Sequence, residues 1–294
     1  MSKRKVVEKL IELILLLAAL LSVFTTVGIV LVLLFETYEF FAVVRIRDFL
    51  FDTQWTPLFE EKHFGIISLF CGTFLTTFIA MLIALPIGLI GAIYLSEYSN
   101  VKIRKILKPS IEILAAVPTV VYGYFALLVV TPFLQKIITN LSGFNAIGPG
   151  IVMGIMIIPV VLSMSEDSLR AVPISIRESS FALGASKFQT SFKIVLPAAL
   201  SGVAAAFILG ISRAIGETMV VAIAAGQQSR FTLNPLVPIE TVTAYIVQVS
   251  LGDTPTGTLE FKTIFAAGMS LFVVTFLLNI LSYHLKKKFR YIYE

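Results

Sequence analysis

The chain has 294 residues, 57% of them hydrophobic and only 14% charged, with a net charge of +5 and a mean hydropathy of +0.93. A soluble domain carries roughly a quarter charged residues, so these charges are too few to dress a water-facing surface and lipid must cover much of it. Two histidines and the single cysteine, Cys71, exclude an intrachain disulfide and leave no Cys/His cluster for a metal.

A helix needs about 20 apolar residues to cross the hydrocarbon core. Six stretches are predicted to do so: Leu10–Phe35, Ile66–Leu95, Ile111–Phe133, Pro149–Met164, Ala198–Ala225 and Ile264–Leu285. The first follows Lys3, Arg4, Lys5 and Lys9, as a signal peptide would. It is too long for a cleaved apolar region and lacks an A-x-A site, so it reads as a retained span. The fourth is short and contains Pro159, but without it the termini would lie on opposite sides.

Lysine and arginine set the orientation. Four basic residues flank each of the N-terminus (Lys3, Arg4, Lys5, Lys9), the second-to-third connection (Lys102, Arg104, Lys105, Lys108), the fourth-to-fifth (Arg170, Arg177, Lys187, Lys193) and the C-terminus (Lys286, Lys287, Lys288, Arg290). The opposite side holds Arg45, Arg47, Lys62, Lys136, Arg230 and Lys262, and Arg213 lies within a span. Both termini are therefore expected in the cytoplasm. This alternation gives no single basic face for nucleic acid. The Lys286–Lys288 run reads as an interfacial anchor to anionic lipid.

Between the first two spans, the outer segment carries six acidic residues and the lone tryptophan, Trp55, which suits either an interfacial anchor or a partner contact. The outer loop from Gly226 to Phe261 is too polar to span, and Val242–Leu251 within it reads as a helix packed on the bundle. Prolines 86, 118 and 159 interrupt the second, third and fourth spans, as packing kinks or as irregularities facing a pore.

The cytoplasmic segment 165–197 is long for a connection between neighbouring spans. Apolar Ile176, Phe181 and Leu183, then Phe188, Phe192 and Val195, recur at roughly helical spacing on either side of Gly184. Two short amphipathic helices joined at that glycine are predicted, with Pro197 opening the fifth span. Glu178, Gly184, Ile194, Leu196 and Pro197 stand in the register E-A-A-x3-G-x9-I-x-L-P, with Ser179 and Ser180 in place of the two alanines. That spacing resembles the cytoplasmic signature of ABC importer permeases; a helix lying on the membrane surface is the competing reading. The likeness extends to Ala84–Gly88, Ala92–Tyr98, Pro118–Gly123, Ser165–Pro173, Arg213–Met219 and Thr53–Pro57, which are similar to PstC-type permeases of phosphate importers.

The resemblance implies an all-α integral membrane protein of the type I ABC importer permease fold, with six transmembrane helices. It implies an N-terminal helix and outer segment over 1–65, a permease core over 66–285 and a basic tail over 286–294. In that family the 165–197 loop couples to an ATPase, which would assign Glu178, Ser179, Ser180, Gly184, Ile194, Leu196 and Pro197 to coupling. The implied partners are a second, paralogous permease, two ATPase subunits and an extracytoplasmic phosphate-binding protein. No P-loop G-x-x-x-x-G-K-[ST] occurs in the chain, so no cofactor is expected on it, and ATP and magnesium belong to the separate ATPase.

Arg213 and Glu217 are the ionisable pair deepest in a predicted span. Each would cost about 2.5–3.5 kcal/mol at the centre of a lipid-facing helix, and i, i+4 spacing sets both on one helical face. They read either as a structural ion pair or as lining for an anion path, in which the guanidinium fork suits oxyanion oxygens. Thr119 and Tyr122, just after Pro118, are further candidates for that path. The expected function is ATP-driven import of phosphate by a non-enzymatic permease subunit. The same architecture serving sulfate, molybdate or tungstate, and an ion-coupled secondary transporter, are the alternatives.

Overall fold

In a computed structural model the backbone is described for residues 3–290 and the side chains for 7–284. The side chains of Lys3, Arg4, Lys5, Lys286, Lys287, Lys288 and Arg290 lie outside the described residues, as does the tail beyond 290. Apolar chain in lipid must close its backbone hydrogen bonds within itself, and this chain does so with helices. In order they are α1 (Lys3–Phe41), α2 (Ile46–Phe51), α3 (Ile67–Ile93), α4 (Val101–Ala116), α5 (Thr119–Phe125), α6 (Thr131–Gln135) and α7 (Ile147–Arg170). There follow α8 (Ile174–Ala182), α9 (Lys187–Thr190), α10 (Leu196–Ala198), α11 (Leu200–Ile215), α12 (Met219–Ala224), α13 (Val242–Leu251) and α14 (Leu259–Arg290). Single π-helical turns extend α3 over Tyr94–Tyr98, join α5 to α6 and join α9 to α10.

Four unbroken helices, Val7–Phe41, Ile67–Tyr98, Ile147–Arg170 and Leu259–His284, are long and apolar enough to span a membrane. The count reaches six if each of two bent pairs is one span. Three sequence expectations change here. The stretch Ile111–Phe133 is not one straight helix: α4 and α5 meet at 85° across Val117 and Pro118. Proline disfavours a helical residue before it and removes an N–H. Pro86 and Pro159, by contrast, sit inside continuous helices and do not break them. The stretch Ala198–Ala225 is likewise interrupted. The helical run Lys187–Ala198 meets α11 at 72°, and α11 stops at Gly216 before α12 begins.

The core is the seam between α3 and α7. Gly88 faces Val161, and Gly154 faces the backbone of Ala80, so a Cβ at either would come within 3.0 Å of its neighbour. Ala80, Ala84, Met153, Ile157 and Val161 fill the seam, and α11 joins it with Gly210 against Val161. The apolar stretch of α1 has no buried residues along its membrane window, so lipid or another subunit must cover it.

At the end carrying loops 42–66 and 226–258, called outer here, a second cluster gathers Phe40, Phe49, Trp55, Leu69, Tyr245 and Val249. Trp55 is only 2% exposed and meets Phe49 and Tyr245 edge-on. It is a core residue rather than an interfacial anchor or an exposed contact. Helix α13 packs on the bundle as its sequence predicts. Cys71 donates its thiol to the Thr232 carbonyl at 3.0 Å, tying α3 to the outer loop.

Candidate functional site

At the inner end, α8 and α9 form the helix pair expected around Gly184. The turn places Gly184 at φ 81°, a left-handed conformation that a side chain resists. The α9 start is fixed by a capping box between Ser186 and Gln189. Ser180 and Thr190 join the two helices through hydroxyls 2.9 Å apart, so Ser180 is buried in the hairpin while Glu178 and Ser179 face outward. Pro197 lies in α10, one turn ahead of the bend into α11, rather than at the start of the span itself. Ile194, Leu196 and Pro197 retain partial or full exposure.

The hairpin is not amphipathic in the expected sense. Ile176 and Val195 pack inward, whereas Leu183 is 89% exposed and Phe181, Phe188 and Phe192 are exposed beside it. Phe188 and Phe192 pack with ring centroids 4.5 Å apart in this exposed apolar tip.

Arg177 holds the hairpin to the bundle. Its Nε and Nη2 donate to the two carboxylate oxygens of Glu97 at 3.2 and 2.8 Å. Its Nη1 donates to the Val172 carbonyl at 2.5 Å and Nη2 also to Leu169 at 2.8 Å. The arginine thus ties α8 to the π turn ending α3 and to the carbonyls at the end of α7. A second hub is Glu166, fully buried on α7. Lys108 donates to it at 2.7 Å, Arg104 Nε lies 3.0 Å away and Arg170 Nε 3.7 Å away. Lys108 also reaches Asp167 at 2.7 Å. The sequence presents Arg104, Lys108, Arg170 and Arg177 only as orientation charges. Glu166 and Arg170 stand at i, i+4 at the hairpin end of α7, and that spacing is the signal the sequence offers.

Arg213 and Glu217 are not on one helical face, because α11 has ended by Gly216. Arg213, in the last turn of α11, is exposed, and among the described residues no carboxylate lies within ion-pair distance of it. Glu217 is 8% exposed; its Oε1 accepts from the Val220 N–H at 3.4 Å at the start of α12. Its backbone carbonyl accepts from Thr243 Oγ1 at 2.7 Å. The structure therefore does not bring the two together as a pair.

Helices α5 and α12 both follow a break, and they pack closely, Gly123 lying against Met219 and Ile223. Thr119 is half-buried at the first turn of α5. The Tyr122 hydroxyl, assigned by sequence to the path, instead donates to Leu114 at 2.7 Å. That carbonyl is the one Pro118 leaves without a helical donor.

The described residues thus form a bundle of long apolar helices with a projecting inner hairpin and an arginine at a helix break that has no carboxylate within ion-pair distance among them. The profile of the binding-protein-dependent transport system inner membrane components matches residues 84–291, and the chain belongs to that family. It is 32% identical over 272 residues to a probable ABC transporter permease, YqgH, of Bacillus subtilis, covering 92% of this chain and 88% of that one. It is 34% identical over 249 residues to the phosphate transport system permease PstC of Xylella fastidiosa, covering 78% and 75% respectively. In fold it is similar to a chain of a bacterial ABC transporter involved in import of the acidic polysaccharide alginate. The TM-score there is 0.60 at 16% identity, covering 99% of this chain and 100% of that one. A chain of the MetNI methionine ABC transporter gives 0.55 at 19% identity, covering 76% and 94%. The PstC-type resemblance and the type I importer permease fold read from the sequence are borne out, and the chain is a multi-pass membrane protein.

Proposed function

We propose that the chain is the phosphate-translocating permease of an ATP-driven importer, working beside a second, paralogous permease and two ATPase subunits that hold ATP and magnesium. An extracytoplasmic phosphate-binding protein delivers the anion at the outer end. The observation that carries the reading is Arg213: a guanidinium in the last turn of α11, exposed on the subunit's own surface and, among the described residues, without a carboxylate at ion-pair distance. A charge left so in lipid would be costly. A subunit interface containing an aqueous anion path satisfies it, and the similarity to phosphate permeases supports phosphate as the anion.

In this reading the planar fork of Arg213 engages two phosphate oxygens while Glu217, held at the α12 start, keeps the local field from trapping the anion. Thr119 flanks the path, and Tyr122 keeps the α4–α5 bend closed. The hairpin of Glu178, Ser179 and Gly184 docks on the ATPase through its apolar tip, with Ser180 bracing it from within and Ile194, Leu196 and Pro197 passing its movement to α11.

The test is ATP-driven phosphate uptake in proteoliposomes, normalised to assembled transporter. Arg213→Lys keeps the charge but loses the fork, and flux should fall at least tenfold. The double variant Arg213→Met/Glu217→Leu should assemble and not transport. Full uptake by the double variant refutes the assignment of the path, and uptake of sulfate in place of phosphate refutes the substrate.

A further inference from the structure

The outer end holds a buried carboxyl group that the transport reading does not use. Glu240 is 4% exposed, and its Oε1 has no hydrogen-bond partner. It stands in a cavity of about 220 Å³ whose other walls include Trp55, Gln227, Gln228, Ser229, Tyr245 and Gln248. A liquid water occupies about 30 Å³, so the space holds a small organic group. Gln227 and Gln228 of its lining are exposed.

Several local features build this cavity. Gly226 and Gln227 adopt φ of 103° and 49° in succession, and Gln227 is the one non-glycine residue with positive φ among those described. Such a conformation persists only where the surroundings enforce it. A Cβ on Gly226 would fall 2.6 Å from Phe144, so the turn must be glycine. The Gln227 amide nitrogen donates to the Ala222 carbonyl at 3.0 Å, which fixes that side chain and leaves its oxygen as an acceptor. Ser229 Oγ donates to the Trp55 carbonyl at 2.6 Å, closing the loop over the outer segment. The Glu240 carbonyl lies hard against Gly72 of α3, which sets the depth of the acid.

What occupies it must answer a carboxylate, carboxamide oxygens and aromatic faces. No lysine or arginine is among the lining residues. Among the outer cations, Lys62 pairs with Glu260 at 2.5 Å, Lys262 with Glu39 and Arg45 with Asp48 at 2.8 Å, while Arg230, which follows Ser229, is exposed and not among the lining residues. Burial alone pushes the Glu240 carboxyl up to about 8, as expected of an acid with no cation to face. Trp55 and Tyr245 add aromatic rings to its lining, a side-chain class that attracts organic cations.

We propose that this cavity is a binding site for a primary alkylammonium group, with Glu240 as its counter-ion and the Gln227 carboxamide oxygen as an acceptor. Two sources carry that group: a free amine in the outer medium, or the lysine side chain of a protein docked at the outer end. The site stands on its own residues and does not depend on the transport reading.

Trp55 is the only tryptophan of the chain and forms the cavity wall, so its emission reports occupancy. The full chain in detergent is titrated with n-butylammonium chloride, with n-butanol and potassium chloride as controls. The ammonium should give a saturable change and the controls none. Because the carboxyl must lose its proton to bind a cation, affinity should rise about tenfold per pH unit below pH 8 and level off above it. Glu240→Gln keeps the shape without the charge and should weaken binding at least tenfold while leaving the circular dichroism unchanged. Nα-acetyl-lysine N-methylamide separates the sources: its binding as well assigns a protein lysine, and its exclusion assigns a free amine. The proposal is overturned if butylammonium gives no saturable response between pH 6 and 9. An equal response from Glu240→Gln, or from potassium, overturns it too.

Discussion

Replacing Arg177 by methionine tests whether the inner hairpin is held by one side chain. The guanidinium is 15% exposed and its partner carboxylate on Glu97 is 7% exposed. Removing it leaves Glu97 nearly buried without its cation, along with the Leu169 and Val172 carbonyls that it serves. Breaking a buried pair costs about 3–5 kcal/mol, and the partial exposure here argues for the lower value. A loss of about 3 kcal/mol is a shift of roughly 100-fold in the equilibrium between docked and detached hairpin, at tenfold per 1.4 kcal/mol.

Hydrogen exchange reads that shift directly. Amides of α8 should lose about two orders of magnitude of protection in Arg177→Met, while those of α3 and α7 at the Gly88–Val161 seam keep theirs. Replacing both partners, as in Arg177→Met/Glu97→Leu, removes the stranded charge and should restore much of the loss. Equal protection in Arg177→Met and the parent would refute the reasoning. So would a double variant as impaired as the single one, which would place the effect in packing rather than in charge.

Two other perturbations follow from the same geometry. Gly184→Val forces a β-branched residue to φ 81° in open space, so its cost is backbone strain alone, about 1–3 kcal/mol. ATPase association measured by co-purification should drop with insertion unchanged, and Gly184→Asn, which tolerates that conformation, should retain more of it. Glu166→Gln leaves Lys108 and Arg104 facing a neutral group at a fully buried position, and the detergent-purified chain should unfold several degrees lower; an unchanged Tm would mean Asp167 alone holds α4 against α7.

The helices are legible in the sequence because hydropathy integrates over twenty residues and tolerates local error. For the same reason the breaks are not. The window over Ala198–Ala225 runs smoothly across Gly216, yet Gly216–Glu217–Thr218 before an apolar run is itself a helix-start pattern, an acid and a hydroxyl ahead of Met219. Taken locally, that pattern alone separates Arg213 from Glu217. The prolines teach a related point. Pro118 breaks its span and Pro86 and Pro159 do not, because the neighbours differ. Tyr122 supplies the Leu114 carbonyl with a new donor once the chain has turned, while Pro159 is buried inside α7, which continues through it. Sequence identifies the missing N–H in all three, but the outcome depends on tertiary partners far along the chain. Glu240 is the extreme case. Its own sequence context, an acid in a Thr- and Pro-rich loop, reads as solvated. Only the approach of Trp55, some 185 residues earlier in the chain, turns it into a buried carboxyl group seeking a cation.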